Sequence, residues 1–391
     1  MTNNVKAFDD WIREPFVAIN TELENLYAQQ NDRMAIDGIG DTLKTDLVDA
    51  GKKLIVALLA EGNTDEGFES GFELLGNVGL YMAACRRHGL TDPDKDKHSP
   101  LVEASALALQ LGASLGVAPR FATSHLSTHN RAIDGTYKSF TALEDEYLFL
   151  EYNTRAILLF KSVADSLTRI LPLGISHPLA TDLLASAEST LKEVTASNEA
   201  LFRRLDVARF FYSVRPYYKP HHVGRQVYRG ANAGDFSGIN EIDLLLGVCQ
   251  ANDSSYSQLL VDKFLYMMPE DQTRLREAMR KVSLLDELLV QIEKSSTQPW
   301  FVTNTGLFLD TCNAYGATAT QHHDQLVNKF IQQPAAKIPE SNLQGVTASG
   351  PSLDVLLASL EELRDLRVAA PRDDIPSRYK DIARLKSALG T

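Results

Sequence analysis

By type and spacing, the residue best suited to do chemistry is His323, in the segment Thr320-Gln-His-His-Asp-Gln-Leu-Val-Asn-Lys-Phe330. On an α-helix Ala319, His323, Leu326, Val327 and Phe330 share one face, Asp324, Gln325 and Lys329 fall towards water, and His322 points elsewhere. A neutral imidazole projecting from an apolar helical face can coordinate an iron porphyrin from below while its neighbours keep water out. The same spacing describes a hydrogen-bonded core histidine, and the pattern alone leaves both readings open. Other chemistries lack their parts: the chain has no Gly-x-x-x-x-Gly-Lys-Ser/Thr phosphate loop and no His-Glu-x-x-His zinc helix. The tandem His221-His222 lies in a Pro-flanked loop, where adjacent side chains seldom converge on one metal, and reads as lining a pocket or the surface. Glu144-Asp145-Glu146 reads as a solvated helix start favoured by the helix dipole, with a catalytic carboxylate as the minor alternative.

Something must position that histidine, and the chain is long enough to do so. Its 391 residues, 44% of them hydrophobic, can bury a sizeable core and are sufficient for two domains. A formal net charge of −12 argues against a nucleic-acid partner, because phosphate binding needs a basic surface. Cys85, Cys249 and Cys312 are far apart and odd in number, which fits free thiols in a reducing cytoplasm better than a disulfide framework. The opening residues lack a signal-peptide core, and no later run of about eighteen apolar residues offers a membrane span. The expectation is a soluble, cytoplasmic, all-α protein, either a monomer or a homo-oligomer.

Apolar residues recur at helical spacing over Leu43–Ala60, Phe68–Cys85, Leu101–Leu115, Ala142–Leu171 and Leu179–Val207. The texture changes at 213–239, where Pro, Gly, Arg and Tyr mix in a way that predicts an irregular, functional segment. Helical patterning resumes at Glu241–Cys249, Tyr256–Met268, Asp271–Glu293, Phe301–Gln332 and Leu353–Leu366, and Gln333–Ser352 reads as a loop or lid. The turn-like Asp134-Gly135 suggests a small helical domain over 1–138 and a larger one over 139–391.

Five short motifs in order then carry a resemblance. They are Phe210-Phe-Tyr-Ser-Val-Arg-Pro-Tyr217, Val227-Tyr-Arg-Gly230, Gly234-Asp-Phe-Ser-Gly238, Ile242-Asp-Leu-Leu-Leu-Gly247 and His323-Asp-Gln-Leu-Val-Asn-Lys-Phe-Ile331. Together they resemble the indoleamine and tryptophan dioxygenase superfamily over roughly residues 119–365. Within it, the chain looks closest to the bacterial branch that includes the aminopyrrolnitrin-pathway enzyme, which rearranges a chlorinated tryptophan. The resemblance implies a two-domain helical fold with haem b between helices of the larger domain, and an iron ligand at His323. It further implies Arg215 as the partner of a substrate carboxylate, Phe210 and Phe211 as the aromatic wall, and Ser237 and Gly238 in the segment passing over the haem. Asp243 matches an acid of the motif, although an Asp there is also an ordinary cap candidate. Arg225 and Arg229 are the candidates for the propionates.

Departures from the pattern matter too. Thr320 stands where the indoleamine dioxygenases place an Arg that helps anchor the haem region, so propionate anchoring must differ. The substrate-closing loop corresponds to Ala348-Ser349-Gly350-Pro351-Ser352, with Gly350 near the substrate and Pro351 stiffening the backbone. The pocket segment Thr123–Asn130 is more polar than its equivalent, which makes Ser124 or His125 a candidate for catalysis on the distal side; both also fit as helix-end residues with local partners. The implied function is a haem-dependent oxygenase that adds dioxygen to tryptophan or a related indole. Oxidative rearrangement of a modified tryptophan is the variant within that class. A haem-binding or sensing protein without turnover is the alternative outside it.

Overall fold

The structure is a computed structural model that describes residues 2–62, 67–231, 233–336 and 353–390. It is all-α: among the described residues the only paired strands are His221–Val223 and Gln226–Tyr228, antiparallel, with His222 opposite Val227. The helices Asp41–Glu61, Phe68–Arg87, Val102–Leu115, Glu144–Leu173 and Pro178–Arg204 stand where apolar periodicity places them. No described helix is long and apolar enough to cross a membrane. The chain divides into two compact units, 1–151 with 205–233 and 333–353, and 152–204 with 234–332 and 354–391.

The first unit starts with a helix the periodicity scan passes over, Asn3–Arg13, in which Val5, Phe8, Trp11 and Ile12 are buried at i, i+3, i+6 and i+7. Thr2 caps it by accepting a hydrogen bond from the Val5 N–H at 3.3 Å. Inside this unit Asp9 gathers Arg13 at 2.7 Å, Lys138 at 2.6 Å and Asn77 at 3.0 Å, so that a buried carboxylate meets two cations and an amide. Gly51 has a packing reason: a Cβ there would lie 2.3 Å from the Tyr81 ring. Asp134 and Gly135 form the expected tight turn, both with positive φ, between the bridged residues Ile133 and Thr136.

The acidic run at the start of Glu144–Leu173 corrects the sequence expectation. Asp145 and Glu146 are buried, not solvated. Asp145 accepts the Asp206 N–H at 2.7 Å and pairs with Arg209. Glu146 accepts the backbone N–H of Phe140 at 2.6 Å and of Thr141 at 2.7 Å, together with the Thr141 hydroxyl at 2.6 Å. The run clamps the chain entering the helix, which costs the carboxylate its solvent: burial pushes the Glu146 pKa up to about 7, against the hydrogen bonds that lower it. A folded-state value above the ordinary one means that the contribution of Glu146 to stability falls as pH rises from about 4.5 to about 7. Glu146→Gln puts an N–H donor against donors, and denaturant melts of the variant are expected to show a loss of about 1–3 kcal/mol and a flattened pH slope in that window.

The second unit is built on two long helices, Pro178–Arg204 and Pro299–Gln321. Leu184, Ala187, Leu191 and Val194 of one, with Phe301, Phe308, Cys312 and Tyr315 of the other, are buried. Polar staples fix their register: Thr181 bonds Asn304 at 2.6 Å, and Gln321 donates to the Thr195 carbonyl at 2.9 Å. The patterned stretch Asp271–Glu293 is two helices, Pro269–Ala278 and Leu284–Ser295; Ser283 caps the second by accepting from the Asp286 N–H at 3.1 Å. Gly247 ends Gly238–Leu246 in the left-handed region, and a Cβ there would fall 2.4 Å from the Ser283 hydroxyl.

Candidate functional site

The helix Pro299–Gln321 does not continue as an α-helix through the tandem histidines. Over His322–Gln332 it widens into π-helix, a form often found at functional sites. The wider turn alters the apolar stripe expected on α-helical spacing. Val327 and Phe330 are buried, His323 and Leu326 are half-buried, and His322 carries accessible surface. Enough protein surrounds His322 that burial, more than the nearby Arg367, lowers its pKa to about 4. The imidazole is therefore neutral at physiological pH while part of it remains accessible.

His323 is differently held. Its Nδ1 lies 3.0 Å from Asp324 Oδ1 and 3.3 Å from Arg364 Nη1, and Arg364 is itself tied to Asp365 at 2.8 and 2.9 Å. Nε2 has no hydrogen-bond partner among the described residues. A ring with Nδ1–H directed at a carboxylate and Nε2 left over is the tautomer a metal ligand requires. Among the described residues no three His, Cys, Asp or Glu side chains gather into a metal site. A porphyrin iron asks the protein for an axial ligand only, and His323 can supply one.

Beneath this segment lies a carboxylate that sequence reading left as a motif acid or a cap. Asp243 is fully buried and is neither a cap nor exposed. Its Oδ1 meets the Tyr315 hydroxyl at 2.7 Å and Arg367 Nε at 2.9 Å; its Oδ2 meets the Tyr256 hydroxyl at 2.7 Å and Arg367 Nη2 at 2.8 Å. One side chain thus ties Gly238–Leu246 to Ser254–Phe264, Pro299–Gln321 and Leu353–Arg367. Two of these matter for the histidines, because Tyr315 stands two turns before His322 and Arg364 shares its helix with Arg367. Thr320, in the place of the absent family Arg, bonds only its own helix, at the Gly316 carbonyl 3.0 Å away.

Ser237 and Gly238 lie in the same unit. The Ser237 hydroxyl is buried against the Glu241 carboxylate and 3.1 Å from Asp271, and those carboxylates pair with Arg274 and Lys161. Its hydrogen bonds are spent internally. Gly238 accommodates a ring: a Cβ would stand 2.8 Å from Phe236.

The other candidates belong to the first unit. His125 is buried, stacks on Phe72 at 3.8 Å, accepts the Ala122 N–H at Nδ1 and lies 2.8 Å from the Phe72 carbonyl at Nε2. Both nitrogens are engaged in local hydrogen bonds, and burial lowers its pKa to about 3, which keeps the ring neutral. The Ser124 hydroxyl is buried without a hydrogen-bond partner among the described residues, and so is the Tyr218 hydroxyl. Buried polar atoms left over in this way mark places where water or a ligand is expected. Phe210 and Phe211 sit on a second π-helical turn, Phe210–Val214, with Phe210 5.2 Å from Phe149 and Phe211 under the Arg215 guanidinium at 5.7 Å. Arg215 is buried, and desolvation lowers its pKa to about 10. Arg225 is exposed at the turn of the two-stranded hairpin and Arg229 is half-buried beyond it. Gly350 and the rest of the expected lid, 337–352, lie outside the described residues.

One further motif is present in the sequence without its usual structural setting. Gly112-Ala-Ser-Leu-Gly116 has the spacing of a hydrolase nucleophile turn, but Ser114 is in the last turn of the helix Val102–Leu115, not at a strand-to-helix turn.

A comparison with known protein families completes these observations. Residues 2–389 match the family model described as "Monodechloroaminopyrrolnitrin synthase PrnB".

Proposed function

Because the chain belongs to the monodechloroaminopyrrolnitrin synthase PrnB family, and is therefore an enzyme of the tryptophan-modifying oxygenase kind, we propose that it works with haem b held by His323. The observation that carries this reading is the 3.0 Å approach of Asp324 Oδ1 to Nδ1 of that ring, which suits an Nδ1–H donor and leaves Arg364, 3.3 Å away, a neighbour and not a donor to it, with Nε2 unpartnered among the described residues. Haem, when bound, supplies the one-electron and dioxygen chemistry that side chains lack. The protein's own residues then hold and orient. Asp243 fixes the helices on either side of the histidine pair, and Phe210 and Phe211 offer aromatic surface to an indole. Arg215 is the partner for an amino-acid carboxylate, which a guanidinium takes with two parallel hydrogen bonds. The family description names a synthase, which favours oxidative rearrangement of a modified tryptophan over simple cleavage of the indole 2,3-bond.

Titration of the purified protein with haem, followed by addition of tryptophan and a chlorinated tryptophan, tests the reading. A saturable one-to-one Soret band that shifts when the amino acid is added is the expected result. A Soret band indifferent to both amino acids would replace the enzyme reading with a haem carrier or sensor, and no stoichiometric uptake would overturn the haem assignment.

A further inference from the structure

In the first unit, Arg33, Arg86, Arg87, Arg215 and Lys219 line one pocket together with Phe211 and Tyr212. The pocket has a volume of about 80 Å³ and opens to solvent. Five cations around one recess is an unfavourable arrangement unless something opposes them. Arg87 is opposed: Glu24 takes it with two bonds of 2.7 and 2.9 Å, and its Nη2 also donates to the Tyr212 carbonyl at 3.0 Å. The end of the helix Phe68–Arg87 contributes roughly half a negative charge. Asp92 lies near enough to act on Arg86 and Lys219, but its own ion pair is with Lys95 at 3.1 Å.

The surplus falls on Arg86 and Lys219. The Arg86 Nε is buried and has no hydrogen-bond partner among the described residues, and burial lowers its pKa. Lys219 is half-buried, and among the described residues burial, Arg86, Arg87, Arg215 and Asp92 act on it with no side-chain hydrogen bond. Burial first, then Arg86, Arg87 and Arg215, push its pKa down to about 7. Among the described residues the carboxylates that act here are Glu24 on Arg87 and Asp92 and Asp94 on Arg86, fewer than the five cations that line the recess.

We infer that Arg86, Arg215 and Lys219 form a binding site for a small ligand bearing two or more ionised oxygens, of the phosphate or polycarboxylate class. An amino-acid carboxylate paired with Arg215 would leave the charge of Arg86 and Lys219 unopposed, so the site asks for more negative charge than the amino acid alone brings. Phe211 and Tyr212 wall the recess and limit it to a compact or flat anion. The inference does not rest on haem. It touches the preceding reading only at Arg215, which both use.

Thermal melts of the full chain, in chloride at constant ionic strength with added inorganic phosphate, citrate or sulfate, test the site. Phosphate or citrate is expected to raise the melting temperature saturably at fixed pH, and with sulfate, whose own charge is constant in this range, the midpoint concentration is expected to rise as pH goes up through about 7, where Lys219 loses its proton. Lys219→Met and Arg86→Met should each weaken this effect about tenfold or more. Both variants should also melt higher than the parent without added anion, because repulsion has been removed, and a merely structural cation would not produce that sign. Stabilisation that follows ionic strength alone, or that survives both substitutions, overturns the site. Saturation by tryptophan but by none of these anions would also overturn it and give the pocket to the substrate carboxylate. Haem uptake can fail without altering any of these outcomes.

Discussion

Asp243→Asn is expected to destabilise the second unit by about 3–5 kcal/mol, the largest single effect foreseen for a side chain that touches no ligand. The amide keeps the shape of the carboxylate but leaves the Arg367 guanidinium, bound at 2.8 and 2.9 Å, as an uncompensated buried cation. It also presents a donor where the Tyr256 and Tyr315 hydroxyls donate at 2.7 Å. Against a total stability of order 5–15 kcal/mol, such a loss places the protein close to its unfolding threshold. Denaturant melts at neutral pH measure it, and the double variant Asp243→Asn/Arg367→Met identifies the cause. Recovery of most of the loss in the double variant is expected, because removing both charges leaves nothing buried and unpaired. A single variant within about 1 kcal/mol of the parent would contradict the burial of this network.

The Asp243 network also shows where sequence reading stops. The helices were legible because burial of one face imposes a 3.6-residue period that survives in the residue types, and Pro299, Pro269, Ser283 and Asp253 add recognisable starts. The partners of Asp243 lie 13, 72 and 124 residues away, and no periodicity connects them. Glu146 was misread for a related reason. Its neighbours in sequence are acidic and look solvated, whereas its neighbours in space are the backbone N–H groups of the preceding turn. The basic pocket draws on residues near 33, 86 and 215, each unremarkable in its own segment. His323 was legible from the family motif, but the π-helix around it was not, since the residue types at 322–332 are compatible with ordinary α-helix.

That π-helix makes the tandem histidines the more informative test. Successive residues on a helix point in different directions, so a single iron site takes one of the pair. His323→Ala is expected to abolish stoichiometric haem uptake, a loss beyond the ~10–100-fold that removal of an outer hydrogen-bond partner costs a metal site. Asp324→Asn, which removes the carboxylate 3.0 Å from Nδ1, is expected to fall within that smaller range. His322→Ala should retain the Soret band, because no hydrogen bond of the kind seen at His323 fixes that ring. Its accessible position beside His323 is expected to make loss of the ring alter spectrum and ligand access more than occupancy. Added imidazole should restore a Soret band to His323→Ala, which separates a missing ligand from a misfolded pocket. The reverse pattern, uptake lost in His322→Ala and kept in His323→Ala, would move the iron by one residue. Uptake unchanged in both would mean that neither imidazole holds it.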